Sequence, residues 1–501
     1  MTLTHQSPPD PPELTSRVAR GAAWIFAGGM FARLLGAANT IVVARLLVPA
    51  DIGLVAVAVL AVQLLQGFSD IGVSQAVVKF RDADRDDLDT LFTLSVLRGF
   101  AVALLLVVSA PLVAAFYNDP RMAGVFLGVA AAPVISGLIN PRFFEFERDL
   151  HFSREFILTV LNKFIGVIVS VTIAIIFRSY WAIILGMLAG GLVQLFLSYF
   201  MRPFLPRFSF KSIKKVFGFS GWLTGVSFVA ALNNKLDTPI LARFMGTGSA
   251  GVYFMGSQLS DMVAGQLAQP LTRAIYPGLA TMQGEAARMR RAFLHGVAAL
   301  GAIAMPAAFG FAFIAEDATA LLLGDQWARA VPVIQFLAPV AGLQSLFYAT
   351  QSYAMALGRT RLVFIRELIY FLIRLPIFIW AVMAYGFEGA ILAAAGLGLF
   401  HVALALYTRV SGGGFWEPLV AARRSLLATS AMAIWFLVLQ PGIAPIEHLS
   451  LIPRLIADIV SGGAVYGAAL MGLWVAEGRP SGVERNLWQA ARAFGKRLTG
   501  V

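Results

Sequence analysis

The chain alternates between long apolar stretches and short polar breaks over almost its whole length. A helix that crosses the hydrocarbon core of a bilayer needs about 20 mostly apolar residues. The pattern therefore predicts an all-α polytopic membrane protein with about fourteen transmembrane helices. The predicted segments are 18–46, 52–78, 89–116, 122–144, 155–177, 180–201, 216–244, 250–277, 292–315, 331–357, 362–385, 388–410, 425–440 and 455–476.

An internal repeat divides the predicted helices into two sets. Residues 21–53 align without gaps to residues 219–251, with seven identities in 33 positions. The identical pairs are Trp24 and Trp222, Ala32 and Ala230, Leu34 and Leu232, Thr40 and Thr238, Ala44 and Ala242, Arg45 and Arg243, and Gly53 and Gly251. The shift equals six predicted helices, an even number. Both sets then have the same orientation in the membrane, as in transporters with parallel repeats.

The repeat predicts two six-helix lobes followed by two C-terminal helices. The predicted divisions are a disordered cytoplasmic tail at 1–16, an N-lobe at 17–201, a cytoplasmic linker at 202–215, a C-lobe at 216–410, helices 13 and 14 at 411–476, and a cytoplasmic amphipathic tail at 477–501. Basic and apolar residues mix in 207–217 and in 483–498. Such segments suit helices that lie on an anionic leaflet, and solvated basic loops are the alternative.

Basic residues are concentrated on one side of the predicted membrane. Of the 39 Lys and Arg residues, 27 fall in segments on the same side as the N-terminus, six on the opposite side and six within spans. The positive-inside rule then predicts a multi-pass protein of the bacterial inner membrane with both termini in the cytoplasm. This orientation explains the net charge of +12 better than a nucleic-acid partner does.

Composition narrows the function classes further. Hydrophobic residues make up 58% of the chain and charged residues 13%, against about 25% charged residues in soluble domains. The absence of cysteine excludes disulfides, thiolate catalysis and zinc–thiolate sites, and the five histidines are scattered. No metal or cofactor is predicted. The loops opposite the cytoplasm are too short for a catalytic domain, so the chain is predicted to be a transporter and not an enzyme.

Three segments resemble one known family. The segment at 44–80 reads ARLLVPADIGLVAVAVLAVQLLQGFSDIGVSQAVVKF, the segment at 144–156 reads FEFERDLHFSREF, and an Ala-Leu-Gly-Arg turn occupies 356–359. They are similar to the polysaccharide transporters of the multidrug/oligosaccharidyl-lipid/polysaccharide exporter superfamily. The likeness is closest to the lipopolysaccharide and exopolysaccharide exporters related to Wzx.

The resemblance implies two six-helix bundles around a central cavity that opens alternately to the two membrane faces. It also implies a polyprenyl-diphosphate-linked oligosaccharide as cargo, moved for surface polysaccharide synthesis. Membrane lipids and the polysaccharide polymerase machinery are the further partners expected, and nucleic acid is not.

Basic residues inside the predicted spans are candidates for binding an anionic cargo, because a charge in a bilayer is costly and such groups usually face an interior cavity. Six residues belong to this set: Arg33, Arg98, Lys163, Lys235, Arg273 and Arg374. Arg33 shares a helix face with Gly36, Ala37 and Thr40, and its planar guanidinium matches a diphosphate. We expect Arg33, with Lys235 or Arg374 and with Arg98, to bind the cargo. A structural pair with a carboxylate is the alternative for Arg33.

Polar residues in the seventh predicted helix are candidates for ion coupling. Asn233, Asn234 and Asp237 fall on one side of that helix, and Pro239 cannot donate to the carbonyl of Lys235. A carboxylate beside freed carbonyls can coordinate Na⁺ or take up H⁺. We expect these three residues, with Asp261 on the eighth helix, to form the ion-coupling site. A polar packing kink without a transported ion is the alternative.

Three other functions compete with a lipid-linked oligosaccharide flippase. One is a drug or metabolite exporter of the same superfamily, which the excess of buried bases disfavours. Another is an exporter of a lipid-linked peptidoglycan precursor. The third is a membrane polymerase or ligase for the same glycans, against which the short loops argue.

Overall fold

The computed structural model describes residues 11–69, 84–148, 152–213, 229, 231–233, 235–282, 284–407, 414–440, 450–480, 482 and 484–485. Over these residues the regular structure is helical and contains no strand. Contacts divide the chain into two compact units, Met1–Ala231 and Leu232–Val501. The predicted all-α class is confirmed.

Nine helical stretches within the described ranges are long and apolar enough to cross a membrane. The number of fourteen spans and the parallel repeat stay predictions. Residues 70–78 of the predicted second helix and 216–228 of the predicted seventh helix lie outside the described residues, as do Asn234, most of the N-terminal tail and residues 486–501.

The first unit is built from helices that follow the apolar segments closely. They are α1 (Pro11–Leu46), α2 (Pro49–Phe68), α3 (Arg85–Tyr117), α4 (Arg121–Val129), α5 (Ala131–Gly137), α6 (Phe152–Phe177) and α7 (Trp181–Met201). A 3₁₀ turn at Pro141–Phe144 and one helical turn at Glu145–Arg148 lie between α5 and α6.

The segment at 122–144 is interrupted, although the apolar pattern predicts one continuous helix there. It divides at Ala130 into α4 and α5, and α5 ends at Gly137. Pro133 has no amide proton to donate to the carbonyl of Val129, which explains the break.

Helices α6 and α7 approach each other closely at small residues. A Cβ on Gly166 would lie 2.9 Å from the carbonyl oxygen of Gly186, and a Cβ on Gly186 would lie 2.6 Å from Cβ of Ser170. Small residues allow such close approach between membrane helices. Helix α1 packs against α6, so α1, α6 and α7 form one group.

The linker after α7 is extended and lies along the polar N-terminal part of α3. The amide of Arg207 donates to Oδ1 of Asp89 at 2.9 Å, and the amide of Ser209 donates to Oγ1 of Thr93 at 2.9 Å. Residues 203–210 have no helical structure. The prediction of an interfacial helix at 207–217 is therefore wrong for its first part, because α3 side chains bind the amides that a helix would use. Residues 214–217 lie outside the described ranges.

The second unit contains longer helices. They are α8 (Asp237–Ala280), α9 (Ala286–Phe313), α10 (Ala315–Leu322), α11 (Val331–Ser345), α12 (Tyr348–Ala356), α13 (Thr360–Tyr407), α14 (Glu417–Ala421), α15 (Arg423–Ile434) and α16 (Leu451–Ala476). A 3₁₀ turn at Asp325–Ala330 precedes α11, and a π-helical turn at Trp435–Leu439 continues α15.

Two glycines interrupt the longest helices. Gly246 in α8 has φ 80°, and Gly386 in α13 has φ 63°, both in the left-handed region that glycine adopts without a Cβ clash. Each of these two helices therefore consists of two helical segments joined at a glycine. The breaks fall between the segments predicted as helices seven and eight and as helices eleven and twelve.

The core of the second unit forms where α8, α9 and α11 pack on one another. Helices α15 and α16 pair with each other and join this core through α9, where the Tyr466 hydroxyl donates to the carbonyl of Ala302 at 3.0 Å. Helix α13 packs against α8 and α11. This arrangement brings polar residues of α8 and α13 into contact.

Candidate functional site

A group of polar side chains runs between the start of α8 and both halves of α13. We call it the buried network, and it consists of Asn233, Asp237, Tyr253, Arg366, Glu367, Tyr370, Arg374 and His401. Helical spacing explains how it forms. Glu367, Tyr370 and Arg374 are three and four residues apart, so they share one face of α13.

Asp237 lies at the first turn of α8 because the helix is interrupted just before it. The chain bends at Leu236, and α8 begins at Asp237. Pro239 is tolerated in a first turn, where its missing amide proton has no partner to lose. The interruption coincides with the kink that the sequence predicts at Pro239. The N-terminal end of a helix also favours a carboxylate.

Asp237 and Arg374 form a buried ion pair. Nη2 of Arg374 lies 2.6 Å from Oδ2 of Asp237, and the two side chains are 12% and 13% exposed. The hydroxyl of Tyr253 donates to the same carboxylate oxygen at 2.8 Å. The guanidinium also lies 5.8 Å from the centroid of the Tyr370 ring. The carboxylate is thus held by two donors from two helices.

Glu367 connects three helical segments. Its Oε1 accepts from Nη2 of Arg366 at 2.9 Å and lies 3.2 Å from Nε2 of His401, which is on the other half of α13. Its Oε2 accepts from Nδ2 of Asn233 at 3.2 Å, and Nδ2 also donates to the Glu367 carbonyl at 3.0 Å. The His401 ring stacks on Tyr370, with centroids 4.2 Å apart.

The structure brings together two residues that the sequence assigned to different roles. Arg374 was expected to bind cargo and Asp237 to bind an ion, and the two contact each other directly. Asn233 belongs to the same network. Lys235 and Asp261 are exposed and lie within electrostatic range of each other.

Sequence reasoning missed Arg366, Glu367 and His401. Arg366 was counted among the 27 basic residues on the side of the N-terminus, and Glu367 was not singled out. The spacing from Glu367 to Tyr370 to Arg374 would have placed all three on one face. His401 is an isolated histidine in an apolar segment, and nothing in the sequence connects it to a glutamate 34 residues earlier.

Basic residues on α1 and α6 lie near each other in the first unit. A Cβ on Gly36 would lie 3.2 Å from Cε of Lys163 and 3.7 Å from its Nζ. The end of the lysine side chain therefore lies against α1, one turn after Arg33. Arg33 is partly buried, and Arg98 is partly buried on α3. The structure thus adds Lys163 to the surroundings of Arg33.

Comparison with known proteins confirms the resemblance found in the sequence. Residues 42–332 match the family described as polysaccharide biosynthesis protein. The chain is similar to the lipopolysaccharide biosynthesis protein WzxC of Escherichia coli (strain K12). The two are 26% identical over 360 residues, which cover 70% of this chain and 72% of that protein.

Two solved structures have the same fold. The lipid II flippase MurJ in an inward closed conformation has a TM-score of 0.66 and 15% identity, with 89% of this chain and 99% of that chain covered. An inward-facing multidrug resistance transporter of the MATE family has a TM-score of 0.58 and 13% identity, with 80% and 95% covered. The chain is therefore a multi-pass membrane transport protein, not an enzyme, and it belongs to the polysaccharide biosynthesis protein family.

Proposed function

We propose that the protein is a flippase. It moves polyprenyl-diphosphate-linked oligosaccharides across the inner membrane by alternating access, for the synthesis of exopolysaccharide or lipopolysaccharide. Membership in the polysaccharide biosynthesis family supports the cargo class, and a fold shared with a lipid II flippase supports the kind of movement.

The observation that carries the proposal is the charge of the α1, α6 and α7 group. The apolar windows 28–46, 156–177 and 181–201 contain no Asp or Glu, while Arg33 and Lys163 lie within the first two. Arg33 and Lys163 therefore bring positive charge to two packed helices inside the membrane, where it would attract an anionic cargo.

A diphosphate has the charge and shape to bind an arginine and a lysine side chain together. Arginine donates paired hydrogen bonds from a planar fork to phosphate oxygens, and lysine contributes a point charge. Arg33 and Lys163 bind the diphosphate in this proposal, and Arg98 acts as a further basic contact within the first unit.

The ion-coupling step is assigned to the second unit. Asp237 and Asn233 belong to the buried network, and Asn234 and Asp261 complete the set proposed from the sequence. Because Arg374 pairs with Asp237, an anion that reached Arg374 would compete for the guanidinium and leave the carboxylate unpaired. Binding of cargo and binding of an ion would then be linked through one ion pair.

Headgroup translocation in proteoliposomes tests the proposal. We expect wild-type protein to expose a defined lipid-linked oligosaccharide to an external glycosidase, and Arg33→Ala to slow this by roughly tenfold to a hundredfold. A lost charge-assisted hydrogen bond costs about 1.5–3 kcal/mol. Arg33→Lys should recover part of the rate, because a point charge cannot reproduce the bidentate fork.

Arg45→Ala is the matched control, since Arg45 is an exposed arginine in the last turn of the same helix. Its rate should equal that of wild type. Equal rates for Arg33→Ala and wild type would remove Arg33 from the cargo site. Faster transport of lipid II, or of a cationic drug, than of the lipid-linked oligosaccharide would replace the proposed cargo with the corresponding alternative.

A further inference from the structure

We infer that a groove beside the two C-terminal helices binds one phospholipid whose headgroup carries a primary ammonium, as phosphatidylethanolamine does. The groove lies within the second unit, and residues of α9, α10, α11, the π-helical turn and α16 line it. This lipid is separate from the proposed cargo, so the inference goes beyond the proposed function and does not depend on it.

Two connected cavities make up the groove. The first has a volume of about 690 Å³ and the second about 370 Å³. Ile314, Phe436 and Asp458 line both, so the two cavities are continuous. The first contains charged side chains, whereas Asp458 is the one charged residue in the described lining of the second. The groove is therefore polar at one end and apolar at the other.

The polar end of the groove lies at the end of a spanning helix, and the apolar end lies deeper. Arg454 lines the polar end and Gly463 the apolar end, nine residues apart on α16, which corresponds to about 14 Å along the helix. Leu437 and Ile459 line the groove and are 68% and 55% exposed, so the groove is open at its side. A lipid has the same order, with its headgroup at the interface and its chains toward the middle of the bilayer.

The π-helical turn after α15 shapes the boundary between the two ends. Its Phe436 and Leu437 line the groove, and so does Gln440 directly after it. The Phe436 ring stacks on Phe313 of α9, with centroids 5.0 Å apart and an interplanar angle of 15°. Single π-helical turns within helices are frequent at functional sites. The turn thus places an aromatic pair where the polar part gives way to the apolar part.

The charges at the polar end favour a cation together with one phosphate. The described lining contains the carboxylates of Glu316, Asp317 and Asp458 and the guanidinium of Arg454. Nε of Arg454 donates to Oδ2 of Asp317 at 2.6 Å. Carboxylates therefore outnumber the base that pairs with one of them. An ammonium group complements the excess, and the arginine matches the phosphate of the same headgroup.

Asp458 indicates what kind of cation fits. The residue is 7% exposed, and the Gln440 amide donates to its Oδ1. Within the described ranges its other oxygen, Oδ2, accepts no hydrogen bond. Buried carboxylates are rarely left without donors, and a charge at this depth of a membrane is costly. A primary ammonium has three N–H donors, as a lysine side chain does, and can donate one of them to Oδ2.

The same features disfavour other lipids. An anionic headgroup, or the diphosphate of a polyprenyl carrier, would lie among carboxylates that repel it. A choline headgroup has the positive charge but no N–H, so it leaves Oδ2 of Asp458 without a donor. An ethanolamine headgroup supplies the cation, the donors and the phosphate together.

Native mass spectrometry of the detergent-solubilised protein tests the headgroup. The probes are phosphatidylethanolamine, phosphatidylcholine and phosphatidylglycerol with identical acyl chains. We expect wild type to bind one phosphatidylethanolamine about tenfold more tightly than either of the other two, the effect of one charge-assisted hydrogen bond. Glu316→Gln removes an exposed carboxylate of the lining and should reduce this preference to about threefold or less. Glu285→Gln is the control, since Glu285 is 60% exposed and lies outside the groove.

Gly463→Leu tests the position of the chain. A Cβ on Gly463 would meet no atom within 4 Å, so a leucine enters the open groove without displacing protein atoms. We expect it to weaken phosphatidylethanolamine binding at least about tenfold, because the added side chain occupies the place of the acyl chain. Gly472→Leu is the matched control, since Gly472 lies on the same helix with equally open surroundings and does not line the groove. Its affinity should equal that of wild type.

Each part of the inference has an outcome that overturns it. Equal binding of phosphatidylethanolamine and phosphatidylglycerol by wild type would refute the headgroup, and so would an unchanged preference in Glu316→Gln. Unchanged affinity in a folded Gly463→Leu would refute the groove. If that variant has a lower apparent Tm than Gly472→Leu, a photoactivatable phosphatidylethanolamine decides instead, and cross-links outside α9, α15 and α16 would refute the groove.

A polyprenyl phosphate is the remaining probe. Tighter binding of this lipid than of phosphatidylethanolamine would assign the groove to the carrier chain and overturn the inference. None of these measurements requires translocation. A protein that binds phosphatidylethanolamine as expected and moves no lipid-linked oligosaccharide would refute the proposed function and leave the lipid site standing.

Discussion

Arg374 and Asp237 show how strongly a buried charge depends on one partner. Each side chain is little exposed, and Tyr253 is the other donor to the same carboxylate oxygen. If either charged group were removed, the other would remain in a poorly solvated place. Breaking such a pair is strongly destabilising, even where the intact pair adds little.

We expect Arg374→Ala to destabilise the protein by about 3–5 kcal/mol, because it leaves the Asp237 charge unpaired. Combining Arg374→Met with Asp237→Asn removes both charges and should recover most of the loss. The apparent Tm in detergent measures both effects.

The control is the pair of Arg288 and Glu285, whose side chains are each 60% exposed. Arg288→Ala should cost less than about 1 kcal/mol. Equal losses of Tm for Arg374→Ala and Arg288→Ala would contradict the importance of the buried pair.

The sequence identified Asp237 and Arg374 as members of the site, but it did not predict that the two residues contact each other. Asp237 and Arg374 were recognisable because a charge inside an apolar segment is costly. Their contact was not, since 137 residues separate them and no local spacing connects such distant positions. Glu367 was not identified because it lies near the end of its predicted span, where a charge costs less than it does at the centre of the bilayer.

Among the helices, the contact of α6 with α7 depends on the absence of side chains. A Cβ on Gly186 would lie 2.6 Å from Cβ of Ser170 and 2.8 Å from the carbonyl oxygen of Gly166. Both neighbours are rigid, because one is backbone and the other is a β-carbon. The helices cannot accommodate a methyl group without moving apart.

Gly186→Ala should therefore destabilise the first unit by about 1–3 kcal/mol, the usual cost of overpacking. Thermal unfolding in detergent measures the loss. Gly467→Ala in α16 is the matched control, since a Cβ there meets no atom within 4 Å and alanine favours a helix. A loss of stability in the control as large as in Gly186→Ala would refute the close-packing explanation.

Helix positions were largely predictable, and their interruptions and loops were less so. Apolar length locates a span within a few residues, as α3 and α16 show against the predicted 89–116 and 455–476. The extended linker at 203–210 was not predictable, because its hydrogen-bond acceptors lie on α3, more than 100 residues earlier. Amphipathic spacing in the linker indicated a helix that these distant acceptors prevent.

The distribution of basic residues gives the whole chain a direction in the membrane. The chain has no cysteine, so single introduced cysteines can be mapped without background. We expect Ser179→Cys and Ala328→Cys to react with an impermeant thiol reagent on intact spheroplasts. Ser212→Cys and Gly414→Cys should react only after lysis, because they lie in the segments where basic residues accumulate.

Labelling after lysis is the control for accessibility of all four positions. A reversed result at one position would change the number of spans between it and its neighbour. Reversal at all four would invert the orientation and keep the number of spans. The labelling thus tests the count and the direction separately.

A counter-ion built from the protein's own side chain cannot be diluted. Arg374 stays beside Asp237 whether the medium is fresh water or brine, because a buried pair is screened far less than exposed charges are. A metal ion in that position would dissociate in fresh water, and in brine other cations would compete with it for the site. The charge balance of this part of the protein therefore stays the same when the salt concentration around the cell changes.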